Sequence, residues 1–371
     1  MDINFDIVTV LNILELFLGI TFGLLIIIID VKKKNNALFL GLFILVTGVQ
    51  VLPDILIEIP YFSKNIFLDN ITTLFIWLKM PLLYIYVQRV SILPKKKISY
   101  WLLIPGIIEI ILSIILLFLD EKSQLYIKDS IGHILYILGG ILFAIVIAVK
   151  TFKHSNRHLK ELQNQYSSIE YRRLKWVKHY TLFFFITLFI VFPTVIAINE
   201  SYIDIVGAII GLVFIYWAAI KGLLQDSVPS LYQNERIIEN KSGTVTLKRE
   251  EVFNNVEANT IIDRLKNIVK TNELYKKNDL TIIDVAEELD MHPSKLSKII
   301  NACLNQNFNN FINAYRIEYS KRLLQENYNK MSIEGISLES GFKSRSSFYV
   351  AFKKHAKITP SVYIKGFLSG L

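Results

Sequence analysis

Cysteine is nearly absent: Cys303 stands alone in 371 residues. That excludes an internal disulfide and a thiolate metal cluster. Catalytic signatures are missing too, with no HExxH, no GxSxG and no glycine-rich phosphate loop. His154, His158 and His179 fall at no metal-site spacing and are predicted to be solvated. No catalytic residue, metal or cofactor is expected, and the chain does not read as an enzyme. The opening MDINFDIV is acidic and lacks the basic stretch of a signal peptide, which predicts no cleavage there.

What is abundant is apolar. Hydrophobic residues make up 52% of the chain and the mean hydropathy is +0.41, too high for an ordinary soluble protein. The excess lies before Asp226. A membrane-crossing helix needs roughly 20 apolar residues. Seven stretches meet that length: 7–29, 37–57, 67–90, 101–119, 131–149, 180–198 and 203–224. Short polar loops separate them.

Lysine and arginine sort by side. Lys32–Lys34, Arg89 with Lys95–Lys97, eight residues from Lys150 to Lys178, and Lys221 give sixteen on one side. Lys64, Lys122 and Lys128 give three on the other. Basic residues favour the cytoplasmic side, which predicts an outside N-terminus and a cytoplasmic C-terminal domain on the inner membrane. The loop at 150–179 is read as a juxtamembrane helix held at anionic lipid by its Lys, Arg and Trp176, in preference to a nucleic-acid patch. The carboxylates near the outer ends, such as Asp54, Glu58 and Asp120, are mostly the complement of that bias; a cation-sensing surface is the sharper alternative.

Two ionisable residues sit in mid-span: Lys79 in LFIWLKMPLLYIYV and Glu109 in IPGIIEIILSIIL. An unpaired charge there costs roughly 2.5–3.5 kcal/mol on insertion scales, so the two are expected to pair inside the bundle. Glu15 is the second candidate partner. The pair either fixes packing or lines a cavity for a signal ligand.

Beyond Asp226 the chain turns polar. Three regions follow: 1–226 as a seven-span sensor domain, 227–258 as a linker or small contact segment, and 259–371 as a soluble domain. The stripe Ile261, Ile262, Leu265, Ile268, Val269 marks an amphipathic helix, read as packing in preference to a dimer seam.

The last region holds one pattern twice. Ile282, Val285, Ala286, Asp290 and Met291 align with Ile333, Ile336, Ser337, Gly341 and Phe342 at a constant offset of 51. Each copy reads as a short helix, a tight turn and a second helix, which is a helix-turn-helix. Ala286 and Ser337 are small where the helices meet. Gly341 suits a turn with positive φ, and Asp290 tolerates one. Pro293 fits a first helical turn and Ser344 an N-cap.

The signatures VAEELDMHPSKLSKIIN, FNNFINAYRIEYSKRLL and ESGFKSRSSFYVAFKKH, followed by ITPSVYIK, resemble the DNA-binding domain of AraC/XylS-type transcription regulators. The resemblance covers the region from about Asn259 to Lys365. It implies two helix-turn-helix units, joined by a linker helix, that read adjacent major grooves of double-stranded DNA. Leu296, Ile299 and Ile300, and likewise Phe348, Ala351 and Phe352, form buried stripes. The opposite faces then meet DNA: Ser294, Ser297 and Lys298 in the first unit, and Arg345, Ser346 and Tyr349 in the second. These positions also match the family's base-contacting ones. Arg345 is the candidate for bidentate guanine recognition. Lys298, Lys343, Lys353 and Lys354 are expected to neutralise phosphates. At Val350 the family often carries a polar or basic residue, and Gly335 weakens the preceding helix by about 1 kcal/mol, so the first unit is expected to carry more of the specificity.

Together these readings predict an all-α fold: a seven-transmembrane-helix bundle followed by a cytoplasmic double helix-turn-helix. The expected function is a membrane-anchored regulator that couples a signal to promoter binding. A transporter or membrane enzyme carrying a regulatory domain, and a membrane tether for DNA, are the alternatives. Expected partners are promoter DNA, the lipid bilayer and an unidentified signal ligand or membrane partner, with homodimerisation left open.

Overall fold

The computed structural model describes residues 6–33, 36–59, 75–93, 98–170, 172–191, 200–225, 255–327 and 330–369. Among these the regular structure is helical, with one isolated β-bridge between Tyr166 and Thr281. The chain divides into two compact units. One comprises Met1–His158 and Leu174–Val228, the other Leu159–Arg173 and Pro229–Leu371.

In the first unit the helices are α1 (Ile7–Lys33), α2 (Leu38–Val49), α3 (Leu52–Ile57), α4 (Lys79–Val90), α5 (Ile104–Leu117), α6 (Glu121–Lys128), α7 (Ile131–Gln165), α8 (Lys175–Ile186) and α9 (Glu200–Leu223). α1 packs against α2 and α9. Gly19 sets the first of these distances, because a Cβ there would strike the backbone of Gly48 on α2. Small residues let apolar helices approach this closely. Phe43, Leu83, Tyr86, Trp176 and Ile215 fill the centre.

The exterior of this unit is apolar as well, and several polar side chains are buried. Phe17, Ile111, Leu138 and Val213 are exposed, while Asn12, Glu15, Glu109 and Thr151 are buried. Four described segments are long and apolar enough to cross a membrane: Ile7–Val31, Leu38–Ile57, Ile131–Gln165 and Ile205–Leu223. Tyr100–Leu116 is a shorter apolar helix. Seven were expected. The predicted spans at 67–90 and 180–198 lie partly outside the described residues. Within 67–90 the backbone is irregular just before α4, where Phe75 has φ of 69°. Hydropathy counts apolar length and does not register such a break.

His158 also departs from expectation. It is buried, and its Nδ1 accepts the Ile92 amide at 3.1 Å. An imidazole provides the partner for a backbone group at the end of α4 that would otherwise be orphaned.

The second unit contains α10 (Asn255–Thr271), α11 (Ile282–Glu288), α12 (Pro293–Leu304), α13 (Phe308–Asn327), α14 (Ile333–Glu339), α15 (Arg345–Ala356) and α16 (Pro360–Ser369), plus the last turns of α7. It has two cores. Leu265, Val285, Leu296, Ile300 and Phe311 centre the first; Ile317, Leu324, Ile336, Phe348 and Phe352 centre the second. α13 supplies residues to both. The predicted linker falls largely outside the described residues, and α10 covers the predicted amphipathic stripe.

Candidate nucleic-acid interface

Local sequence signals position both helix pairs. Thr281 caps α11 in a reciprocal box, its Oγ1 accepting from the Asp284 amide while Asp284 accepts the Thr281 amide at 2.7 Å. Such a cap is worth about 1 kcal/mol. Ser332 caps α14 through the Gly335 amide at 3.0 Å, and Ser344 caps α15 through the Ser347 amide at 3.1 Å. His292 caps α12, its Nδ1 accepting the Ser294 amide, with Pro293 following in the first turn. The turns between the helices use Asp290 at φ 52° and Gly341 at φ 84°. α11–α12 and α14–α15 are thus two helix-turn-helix pairs, joined by α13.

The faces of the two second helices differ in what they offer. On α15, Arg345, Ser346, Lys353 and Lys354 are exposed and Tyr349 is half-buried. Arg345 lies over the Tyr349 ring, 5.2 Å from its centroid, and its Nη2 approaches the phenol oxygen at 3.4 Å. That hydrogen bond, foremost, raises the Arg345 pKa. A bond to Ser361 comes first among the causes that lower the Tyr349 pKa. Arg and Tyr form one i,i+4 surface with a fixed cation and a phenol hydroxyl. Lys354 donates to Asn310 at 2.6 Å, and Lys343 pairs with Asp279 at 2.6 Å.

On α12, Lys298 is exposed and Ser294 half-buried. Ser297 departs from the expected face, since only 9% of it is exposed. It shares a row with Pro293 and Ile300 at i, i+4 and i+7, so the buried arc of α12 is wider than the three-residue stripe that defined it. Its carbonyl accepts from Asn301 Nδ2 at 2.7 Å. Val350, by contrast, is exposed.

Arg316 on α13 is a structural residue with no distinct motif around it in the sequence. It is 1% exposed. Nε donates to the Tyr275 carbonyl at 2.7 Å and Nη2 to the Lys277 carbonyl at 2.8 Å. Its guanidinium lies 5.5 Å from the Phe342 ring centroid, so one side chain ties the first core to the turn of the second pair. Burial pulls its pKa down to about 10. The only sequence signal was an arginine among apolar neighbours, Tyr315 and Ile317.

The second unit also holds Leu159–Arg173, which the charge pattern assigned to lipid. Ser167 donates its amide to the Leu280 carbonyl at 3.0 Å, and Asn309 Nδ2 donates to the Ser167 carbonyl at 2.7 Å. Arg172 pairs with Asp279 at 3.5 Å.

In the first unit, Lys79 and Glu109 do not pair with each other. Lys79 Nζ donates to Gln50 Oε1 at 2.5 Å. Glu109 accepts from the Tyr136 hydroxyl at 2.7 Å and from the Trp77 amide at 3.3 Å. Trp77 lies in the irregular backbone just before α4, and Glu109 supplies its amide with an acceptor. Glu15 is buried and lines a cavity of about 560 Å³ with Asn12, Asp54 and Glu58.

Residues 285–366 match the helix-turn-helix domain family. The chain is 31% identical over 114 residues to an uncharacterised HTH-type transcriptional regulator of Staphylococcus aureus, covering 31% of this chain and 14% of that protein. It is 34% identical over 86 residues to the melibiose operon regulatory protein of Escherichia coli, covering 23% of this chain and 28% of that one. Among solved structures, the C-terminal domain of AraT, a response regulator from Geobacillus stearothermophilus, is 29% identical with a TM-score of 0.25, covering 29% of this chain and 84% of that one. The chain therefore spans only a small part of the curated relatives it matches. Its C-terminal region is an AraC-type helix-turn-helix DNA-binding domain.

Proposed function

We propose that the chain is a membrane-anchored transcription regulator that couples a signal at its membrane domain to promoter binding. The observation that carries this reading is the contrast within one chain. One unit is apolar on its outside and buries Asn12, Glu15, Glu109 and Thr151 away from that surface, as suits lipid. The other bears two capped helix-turn-helix pairs with an exposed Arg, Ser and Lys face. The matched proteins named as transcriptional or operon regulators support the same reading for the C-terminal region.

Arg345 is assigned to base recognition with Tyr349 beside it, while Lys298, Lys353 and Lys354 are assigned to phosphates. The sixteen-to-three basic asymmetry supports an outside N-terminus with the DNA-binding domain in the cytoplasm. No catalytic step is required, and the membrane bundle acts as sensor.

Reporter fusions test the anchoring. A cytoplasm-active reporter joined after Asp226 should work, and one joined near Glu200 should not. The reverse pattern would put the DNA-binding domain outside and end this reading.

A further inference from the structure

Glu170 meets the start of α15 with its carboxylate. Glu170 Oε2 accepts from the Ser344 hydroxyl and Oε1 from the Ser346 hydroxyl, so both carboxylate oxygens engage the start of the second recognition helix. Ser344 is the N-cap of that helix, and Ser346 is one of its exposed side chains, on the face expected to meet DNA. Arg345 lies between them. The positive end of a helix dipole and two hydroxyl donors suit an oxyanion, which in a DNA complex is a backbone phosphate.

Glu170 is held there by its neighbours. Ser167 bonds through its amide to Leu280, through its carbonyl to Asn309, and through its hydroxyl to Arg316 Nη2 at 3.0 Å. Arg172 holds the far side by its pair with Asp279. The same segment reaches the first recognition helix, where Asn301 Nδ2 donates to Asn164 Oδ1 at 3.3 Å. Asn164, Ser167, Glu170 and Arg172 therefore form a strap that touches both recognition helices, anchored at Ser167 and Arg172. The strap follows directly from α7, a continuous helix that begins at Ile131 within an apolar stretch.

We propose that this strap is an internal competitor for DNA, with Glu170 occupying the place of a backbone phosphate at α15. A fixed carboxylate on that face repels the phosphates that Lys353 and Lys354 attract, and its hydrogen bonds consume the Ser346 hydroxyl. DNA binding then requires the strap to release α15, so the apparent affinity equals the intrinsic one reduced by the fraction released. The inference rests on the DNA-binding reading above and adds its regulation: release of the strap is the step that a signal carried along α7 would control.

The test uses the full chain in lipid nanodiscs and a labelled duplex that this chain itself enriches from a random pool. Glu170→Gln keeps the shape but removes the charge, and should tighten binding roughly three- to tenfold by raising the released fraction. The gain should shrink as salt rises, because it is electrostatic. Arg172→Ala loosens the anchor without touching α15 and should tighten binding in the same direction. A merely structural strap predicts the opposite sign, since both changes would weaken the domain and its DNA binding. Equal affinity in wild type and both variants, or weaker binding in Glu170→Gln, overturns the strap proposal alone. No DNA binding by wild type or either variant overturns the regulator reading and the strap together.

Discussion

Arg316 Nη2 donates to Ser167 Oγ at 3.0 Å, across 149 residues of sequence. The same guanidinium holds the carbonyls of Tyr275 and Lys277. A planar fork with five donors can serve three such acceptors at once, and a lysine ammonium cannot match its geometry.

Arg316→Lys should therefore loosen the DNA-binding unit by about 2–3 kcal/mol, the range for lost hydrogen bonds to a charged group with acceptors left buried. Hydrogen exchange on the full chain reads this out. Amides around 274–280 and along α13 should exchange faster, while α14–α15 changes less. Unaltered protection at 274–280 would remove Arg316 from this structural role.

The two turns invite changes of opposite sign. Gly341 combines φ of 84° with a site where a Cβ would run into the carbonyl oxygens of Tyr275 and Lys276. Gly341→Ala should cost more than the roughly 1–2 kcal/mol of left-handed backbone strain alone. Asp290, at φ 52°, pays part of that strain already. Asp290→Gly should be neutral or stabilising, by up to about 1 kcal/mol. Thermal unfolding of the two variants gives the comparison, and a stable Gly341→Ala protein would contradict the packing described.

These turns and caps were legible because their causes are local. The Ser344 cap and the turns at Asp290 and Gly341 each declare themselves within four residues, and the Thr281–Asp284 box, found only in the structure, is equally local. Arg316 with Ser167 and Glu170 with Ser346 do not, because each depends on segments brought together only by the fold. Ser297 was misplaced for a subtler reason, since a three-residue stripe underestimates the arc that a short helix buries. In the apolar half, composition revealed where helices could run but not where the backbone breaks before α4.

Arg345 and Lys353 should fail differently. Arg345 sits exposed over Tyr349 and is suited to a base edge, whereas Lys353 is exposed one turn beyond. Arg345→Ala should relax preference at one or two base pairs by about 1–3 kcal/mol. Lys353→Ala should weaken all sequences alike and lower the salt slope by about one unit. Competition binding against single-base variants separates the two. Intact base preference in Arg345→Ala would reassign that side chain to phosphate.

His355 gives a pH dependence. Burial, foremost, holds its pKa below the ordinary value, with the charges of Lys354 and Lys321 adding to the effect and Glu318 opposing it. The folded domain thus favours neutral imidazole, while the unfolded chain takes up a proton near pH 6.5, roughly the free value. Its contribution is fully present above that pH and is lost as pH falls toward the depressed folded value. His355→Asn should flatten urea-unfolding midpoints measured between about pH 7.5 and 5. An unchanged slope would show that His355 is not the group responsible.

The partners of Lys79 and Glu109 reverse a simple expectation. Were they an ion pair, exchanging the two residues would restore the contact. Instead Lys79 donates to Gln50, and Glu109 accepts from Tyr136 and from the Trp77 amide. A lysine at 109 can accept from neither, and a glutamate at 79 would face the Gln50 carbonyl oxygen unless that amide turned over. Glu109→Leu should lower protein abundance in membranes, since leaving the Trp77 amide unpaired costs about 1–3 kcal/mol. Glu109→Gln should be milder, because its carbonyl oxygen still accepts. The double exchange Lys79→Glu with Glu109→Lys should be at least as damaging as either single change. Recovery of wild-type abundance by the exchange would mean that the two charges meet directly, against the arrangement seen here.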